Sequence, residues 1–266
     1  MRESTGQRRQ IFGWAMYDWA NSAYVTTVAV AVLPAYFASA VVPAGGWRVA
    51  GVTLPATALW GYAVGFSALL VFLLAPFLGA VADFTALKKR FLMVFCLMGS
   101  LAATLLFLAG PGLVLLTLGL FIVAQVGFVA GNVFYDAFLP HLGPPRDLDR
   151  ISGKGFAYGY VGGGLQFGLS LGLIALHERL GLSQDLAARL AMATAGLWWG
   201  GFSLVTFARL NEPRPLAADG TIATRPGLAA CLAEGRARVL ASLGAVRREP
   251  GLGRFLLAFP VYNDGI

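Results

Sequence analysis

Six uncharged and mainly apolar runs follow one another along the chain, and each is long enough to form a membrane-spanning helix. A helix needs about 20 apolar residues to cross about 30 Å of hydrocarbon. Of the 266 residues, 58% are hydrophobic and only 12% are charged, and the mean hydropathy is +0.71. We therefore predict an all-α, polytopic membrane protein whose six transmembrane helices lie in the runs Trp19 to Trp47, Thr57 to Ala82, Phe91 to Ala109, Leu113 to Tyr135, Gly155 to Leu176 and Leu190 to Ala208.

A shorter apolar run, Phe255 to Val261, predicts the first turns of a truncated seventh helix. Six helices, a long connection and a seventh helix are the arrangement of a transporter built from two parallel repeats, here with the second half missing. The connection contains Leu228, Leu232, Val239 and Leu243 near helical spacing, which indicates either an amphipathic helix on the membrane surface or a solvated linker. The predicted parts are a six-helix bundle, a cytoplasmic linker and the start of the seventh helix, at residues 1–209, 210–253 and 254–266.

Lysine and arginine residues predict the orientation of the chain. Basic residues beside short loops stay in the cytoplasm during insertion. With the N-terminus inside, all of them except Arg48, Arg179 and Arg189 fall on the cytoplasmic side. We therefore predict a multi-pass protein of the cell (inner) membrane with a cytoplasmic N-terminus. The net charge of +7 follows mainly from this asymmetry, so the expected partner is the lipid bilayer and not a nucleic acid.

Polar side chains form a stripe on each of two predicted helices. At about 100° per residue, Tyr17, Asn21 and Tyr24 share one side of the first helix and Asp18 lies beside them. On the fourth helix, one side carries the polar residues Gln125, Asn132 and Asp136. A charged group within a membrane helix usually faces the bundle interior or an aqueous cavity. The two stripes predict a shared cavity for a solute or ion, nearer the cytoplasmic side than the midplane.

Two alternatives remain open for these charged residues. Asp18 could instead cap the start of its helix or pair with a cytoplasmic arginine, because helix N-termini favour acidic groups. Lys154 begins the fifth span on the same side, and Gln166 follows on its face at intervals of four, which adds Gln166 to the predicted path. An ion pair between Asp136 and Lys154 would act either as an inner gate or as a static strut.

Glycines recur on the fifth predicted helix at intervals of four. Such small residues let two helix backbones approach closely, so the pattern predicts tight helix packing. The two series are Gly155, Gly159 and Gly163, and Gly164, Gly168 and Gly172.

The first and last predicted helices repeat a short pattern. Tyr17 follows Arg9 by eight residues, and Tyr262 follows Arg254 by the same interval. Asp18 then corresponds closely to Asp264, either by chance or as an internal repeat. We therefore include Asp264 in the predicted solute or ion path.

The segment Gly79-Ala80-Val81-Ala82-Asp83, followed by Lys88-Lys89-Arg90, resembles the loop signature of the major facilitator superfamily. In that signature, glycine permits close packing and the charged residues form a cytoplasmic relay. The resemblance implies a cytoplasmic gate that contains Asp83, Lys88, Lys89 and Arg90, to which we add Lys154. Ala86 departs from the signature, because it replaces the usual second glycine, and the basic cluster is displaced by one residue.

Four ordered blocks resemble the autophagy-related vacuolar amino-acid effluxer-like family of that superfamily. They are Tyr17-Asp18-Trp19-Ala20-Asn21-Ser22-Ala23-Tyr24, Phe134-Tyr135-Asp136-Ala137-Phe138-Leu139-Pro140, Ser152-Gly153-Lys154-Gly155-Phe156-Ala157-Tyr158-Gly159-Tyr160 and Tyr262-Asn263-Asp264-Gly265. The resemblance implies twelve helices in two halves, alternating access, and efflux of amino acids or related small solutes. It covers residues 11 to 266, so the second half is expected to be missing or to be supplied by another copy.

We therefore expect a secondary active transporter, with a small solute and a coupling proton or cation as its partners. No covalent chemistry, cofactor or metal site is expected. A cation-coupled sugar symporter and a non-transporting scaffold or inactive fragment are the alternatives. An intramembrane aspartyl protease is a further alternative, because two Tyr-Asp pairs resemble paired catalytic carboxylates, but the Gly-x-Gly-Asp block of such enzymes is missing.

Overall fold

The structure is a computed structural model that describes residues 5–49, 51–84 and 87–212, together with the single positions 233, 236, 237, 244 and 251. The predicted amphipathic helix of the linker, the predicted seventh helix and Asp264 lie outside these residues. The side chain of Asp83 lies outside them too.

Six long helices and one small hairpin make up the described chain. The hairpin pairs β1 (Trp47–Val49) with β2 (Val52–Leu54) in antiparallel register, with Trp47 opposite Leu54. The predicted all-α membrane fold is confirmed. The helices are α1 (Thr5–Val41), α2 (Ala56–Phe84), α3 (Lys88–Leu105), α4 (Val114–Asp136), α5 (Leu148–Ala175) and α6 (Gln184–Arg209).

Five stretches of the described chain are helical, long and apolar enough to cross a bilayer. They are Thr5–Val41, Ala56–Ala75, Lys88–Leu108, Val114–His141 and Gln184–Arg209. The remaining long helix, α5, has 28 residues, which is ample length for a bilayer. Its glycines and polar residues make it less apolar than the other five. The sequence counted it as a sixth span because no charged residue interrupts the run 155–176.

Helix α1 differs from its predicted bounds at both ends. It begins at Thr5, well before Trp19, and ends at Val41, because the chain then turns through Pro43 and a positive-φ Gly46 into the hairpin. Within it, α-helix gives way to wider π-helical turns at Tyr24–Val32 and Phe37–Val41. Pro34 lies between them and has no N–H to donate, which disturbs the regular hydrogen-bond ladder.

Helix α1 lies at the centre of the bundle, packed along α5 and α6. Helix α3 packs against α4 and α6, while α2 lies on the flank against α4. The closest crossing of α3 and α4 is between two glycines, since a Cβ at Gly127 would lie only 2.6 Å from the Cα of Gly99. Glycine is therefore required where these two helices cross.

The predicted close packing of α5 is present for the first glycine series. A Cβ at Gly155 would lie 2.8 Å from the Trp14 ring of α1, and one at Gly159 would lie 2.8 Å from Ser22 Oγ. The second series, Gly164, Gly168 and Gly172, has nothing within 4 Å of the corresponding Cβ positions. One face of α5 is thus packed against α1 and the neighbouring glycine face is open.

Helices α1, α3 and α5 begin at the end of the bundle where α4 and α6 finish. The contacts there include a close approach of Gly13 to Arg209 and a hydrogen bond from Lys88 to the carbonyl of Ala137. Because Arg8, Lys88 and Lys154 also lie there, we call it the basic end. The sequence placed all of these residues on one side of the membrane, and the fold gathers them at one end.

Candidate functional site

A cavity of about 200 Å³ lies between α1, α4 and α5 near the basic end. Asp18 enters it from α1, and Asp136, the last residue of α4, enters it from the other side. Asp18 is half-buried and Asp136 is exposed. We call this space the carboxylate cavity, and its lining consists of Trp14, Asp18, Asn132, Tyr135, Asp136, Leu139, Ser152 and Phe156.

The position of Asp18 excludes one of the interpretations of that residue. Helix α1 starts at Thr5, so Asp18 lies several turns inside the helix. The alternative that Asp18 caps the start of its own helix is therefore wrong. Its neighbour across the α1–α5 contact is Gly159, where a Cβ would lie 3.6 Å from Asp18 Cβ.

Stacked aromatic rings form one wall of the carboxylate cavity. Trp14 donates a hydrogen bond from Nε1 to the carbonyl oxygen of Tyr135 at 3.0 Å, and the two rings stack with centroids 4.4 Å apart. Tyr17 stacks on Tyr135 at 5.1 Å. The sequence did not single out Trp14 or Tyr135 as site residues. Spacing alone could have indicated them, because Trp14 lies four residues before Asp18 and Tyr135 immediately precedes Asp136.

The two predicted polar stripes meet inside the bundle as hydrogen-bonded pairs. Asn21 Nδ2 donates to Asn132 Oδ1 at 2.7 Å, and Tyr24 donates from its hydroxyl to Gln125 Oε1 at 3.0 Å. The backbones of α1 and α4 make few close approaches, so these long side chains form much of the contact between the two helices. Of these four residues, only Asn132 also lines the carboxylate cavity.

The Asn21–Asn132 bond should couple the two residues energetically. In a double-mutant cycle, the loss of stability caused by Asn21→Ala and Asn132→Ala together should be smaller than the sum of the two single losses by about 0.6–1.7 kcal/mol, from the average to the maximum for hydrogen bonds between membrane helices. The measurement is unfolding in mixed micelles. A cycle of Asn21→Ala with Gln125→Ala is the control, since these residues do not bond to each other. A coupling near zero in the first cycle would contradict the pairing.

Gln166 lies apart from the carboxylate cavity, in a buried polar cluster between α1, α5 and α6. Its Oε1 accepts a hydrogen bond from Thr27, and its Nε2 donates to Ser170 at 2.9 Å and to Thr194 at 3.5 Å. The face shared with Lys154 therefore does not bring Gln166 to the two carboxylates. The polar stripes of the sequence did not include Thr27, Ser170 or Thr194, although Ser170 lies one helical turn beyond Gln166.

The hypothesis of an ion pair between Asp136 and Lys154 is not supported. Within the part of the chain that the structure describes, no ion pair within 4.0 Å joins them, and they line different cavities. Lys154 is exposed on α5 beside Arg8. The two side chains do not meet because they point in different directions. Asp136 faces the gap between α1 and α4, and Lys154 faces the opposite flank of α1.

The other predicted gate residues lie in the first turn of α3 and in the last turn of α2. Lys88 is buried and contacts two groups of the segment after α4, the carbonyl of Ala137 at 3.2 Å and Nε2 of His141 at 3.1 Å. Its charge therefore faces the carboxyl end of α4, which favours cations. Asp83 lies in the last turn of α2, and Arg90 is exposed.

Glu212 is a cap that the sequence analysis did not identify. Its Oε2 accepts a hydrogen bond from the backbone N–H of Lys89 at 2.9 Å, which satisfies a free donor in the first turn of α3. Burial raises the pKa of Glu212, and the backbone donors and charges of Lys88 and Lys89 oppose that shift. The end of α6 is thereby attached to the start of α3.

Comparison with known proteins shows the family to which the chain belongs. The family described as "Vacuole effluxer Atg22 like" matches residues 6–148 and 144–266. An uncharacterized MFS-type transporter, YxiO of Bacillus subtilis, is 30% identical over 97% of this chain and 58% of its own length. Autophagy-related protein 22 of Coccidioides immitis is 26% identical over 63% of this chain and 36% of its own length. No solved structure matches the chain.

The chain thus spans about three fifths of the length of the YxiO relative, or 58%. The two family matches together extend from residue 6 to residue 266 and include both carboxylates of the cavity. On this extent of similarity, the chain belongs to the Atg22-like vacuole effluxer family.

Proposed function

We propose that the chain acts as part of a secondary transporter of the major facilitator type. The single observation that carries the proposal is the carboxylate cavity, in which acids from two helices face one space inside a membrane bundle. Ionisable groups in such positions are costly, so they usually serve a solute or ion pathway. In this proposal, Asp18, Asn132 and Asp136 form part of that pathway near the basic end.

The chemistry of the cavity favours a small solute with a positively charged group. At about 200 Å³, it is below the roughly 300–1,000 Å³ of sites for drug-sized ligands. Two carboxylates attract an ammonium group, and the amide nitrogen of Asn132 can donate a hydrogen bond to a carboxylate or carbonyl. We therefore propose amino acids or related small solutes as the substrate class. The description of the family, vacuole effluxer, agrees with export.

The same two acids could couple transport of the solute to movement of a proton or cation. Repulsion between carboxylates in one cavity falls when a proton or cation binds between them. We propose that binding of the proton or cation alternates with binding of the solute. The transporter would meanwhile alternate between a state open to one side of the membrane and a state open to the other. By the positive-inside rule, the basic end would lie on the cytoplasmic side of the cell membrane. A second helical bundle, from further chain or from another copy, would complete the solute path.

Filling the cavity should test this function. Ser152→Leu adds an apolar side chain to the lining, and counterflow of amino acids in proteoliposomes should fall at least about tenfold, because a barrier change of about 1.4 kcal/mol is sufficient for that loss. Thr57→Leu is the control, since Thr57 is exposed in the first turn of α2 and does not line the carboxylate cavity. It should leave counterflow within about twofold.

The solute panel should include neutral, basic and acidic amino acids and neutral sugars. Exchange of sugars alone would replace the proposed substrate class by that of a sugar symporter. Equal exchange by the wild-type and Ser152→Leu proteins would contradict the proposed path through the carboxylate cavity.

A further inference from the structure

A second cavity at the basic end combines positive charge with aromatic and apolar surface. It measures about 420 Å³ and lies between α1 and α5. Its lining consists of Arg8, Ile11, Phe12, Ala15, Lys154 and Tyr158. Arg8 and Lys154 are exposed, whereas Ile11 and Ala15 are buried and form an apolar floor. We call this space the basic groove, and two of the described residues that line it, Arg8 and Lys154, are cations.

Aromatic rings and a third cation border the basic groove. The rings of Phe12 and Tyr158 meet edge to face, with centroids 6.0 Å apart. The guanidinium of Arg209 lies over the Phe12 ring at 4.6 Å from its centroid. Aromatic side chains with adjacent basic residues are typical of the level of the lipid headgroups, where apolar and charged groups can both be accommodated.

An apolar stripe continues from the groove along α5. At about 100° per residue, Lys154, Tyr158, Val161, Leu165 and Leu169 fall on one face of the helix. The last three are 54%, 52% and 65% exposed. Val161, Leu165 and Leu169 thus lie on the side of α5 that faces the surroundings of the bundle, in line with the two groove residues Lys154 and Tyr158.

The basic groove and the apolar stripe on α5 match the headgroup and the acyl chain of a phospholipid. A phosphate group is an anion that Arg8 and Lys154 attract, and basic pockets between membrane helices bind anionic headgroups. An acyl chain needs an apolar surface that starts at headgroup level and runs towards the membrane centre, as the α5 stripe does. A soluble anion would use the cations alone and would gain nothing from the stripe.

We propose that the basic groove binds the headgroup of an anionic phospholipid, with an acyl chain lying along Val161, Leu165 and Leu169 of α5. The lipid comes from the membrane leaflet at the basic end. This site is separate from the carboxylate cavity. It requires that the bundle spans a membrane and that this face of α5 is turned to lipid, so its test is independent of the proposed transport.

Native mass spectrometry of the full-length protein with added lipid tests the proposal. Wild-type protein should retain phosphatidylglycerol in preference to phosphatidylcholine. The double variant Arg8→Gln/Lys154→Gln should bind phosphatidylglycerol about tenfold more weakly, because each cation near the headgroup adds to the attraction. Arg146→Gln is the control, since this arginine is exposed at the same end but does not line the groove. It should bind as the wild type does.

Further variants keep the test decisive if the double variant fails to fold. Lys154→Gln alone, at an exposed position, should weaken binding by an intermediate factor, and Lys154→Arg should restore it. Leu165→Ser should weaken phosphatidylglycerol binding while leaving the charge intact. Equal losses for Arg146→Gln and Lys154→Gln would overturn the proposal, because general surface charge would then explain binding. Glycerol phosphate that displaces the lipid fully at equal concentration would also overturn it in favour of a soluble anion.

Discussion

Replacing Gly162 by alanine is expected to lower the thermal midpoint of the protein by about 4–8 °C, which corresponds to about 2 kcal/mol for a chain of this size. The Cβ of an alanine there would overlap the carbonyl oxygen of Trp19 and lie 2.8 Å from two carbons of the Trp19 ring. A backbone carbonyl cannot rotate away as a side chain can, so α1 and α5 would have to separate. Unfolding followed by tryptophan fluorescence in detergent measures the change.

Gly164→Ala is the matched control for this prediction. Gly164 lies two residues further along α5, and nothing is within 4 Å of its Cβ position. Both substitutions gain up to about 1 kcal/mol of helix propensity, so the difference between them isolates the contact with α1. Gly164→Ala should therefore be neutral or stabilising. Equal stability of the two variants would show that α1 and α5 do not approach as closely as the structure has them.

Replacing Asp18 by asparagine is expected to reduce gradient-driven transport at least about tenfold, as a loss of about 1.4 kcal/mol would. The amide keeps nearly the shape of the carboxylate but cannot take up and release a proton. Asp18 faces the same cavity as Asp136, so the change removes one of two acids from the proposed coupling site. The measurement is solute flux in proteoliposomes with and without an imposed pH gradient.

Counterflow without a gradient separates coupling from folding in the Asp18→Asn protein. Exchange driven only by solute should persist within about threefold, since the cavity keeps its shape. Asp149→Asn is the control, because Asp149 is an exposed acid in the first turn of α5 at the same end of the bundle. Gradient-driven flux that is unchanged in Asp18→Asn would rule out a coupling role for Asp18, and attention would pass to Asp136.

Hydropathy predicted the membrane helices well but located α1 poorly. The helix begins at Thr5 among polar residues that an apolar run cannot reveal, and it ends at Val41 although the run continues to Trp47. Residues 42–46 form a turn instead, and the chain passes through Gly46 at a positive φ angle into the hairpin of residues 47–49 and 52–54. Hydropathy measures transfer into lipid and does not distinguish a helix from an uncharged turn that follows it.

Helical spacing identified part of the candidate site. It selected Asp18, Asn132 and Asp136, which do line one cavity, and it found the partners in the Tyr24–Gln125 pair. It also grouped Gln166 with them, although that side chain is hydrogen-bonded elsewhere in the bundle. Spacing reports which residues share a face of one helix. It does not report how the faces of different helices are rotated towards one another.

The sequence by itself determined the class of the protein, the six long helices of residues 5–212, the gathering of basic residues at one end and the family. The family was recognised from the resemblance of four ordered sequence blocks. The other properties depend on the composition and local periodicity of each segment, because lipid requires every spanning segment to satisfy its own backbone. Only the tertiary structure decided that Asp18 and Asp136 share a cavity walled by Trp14 and Tyr135, and that Lys154 belongs to a different groove. Those relations depend on the rotation and depth of helices far apart in sequence, which their mutual packing sets.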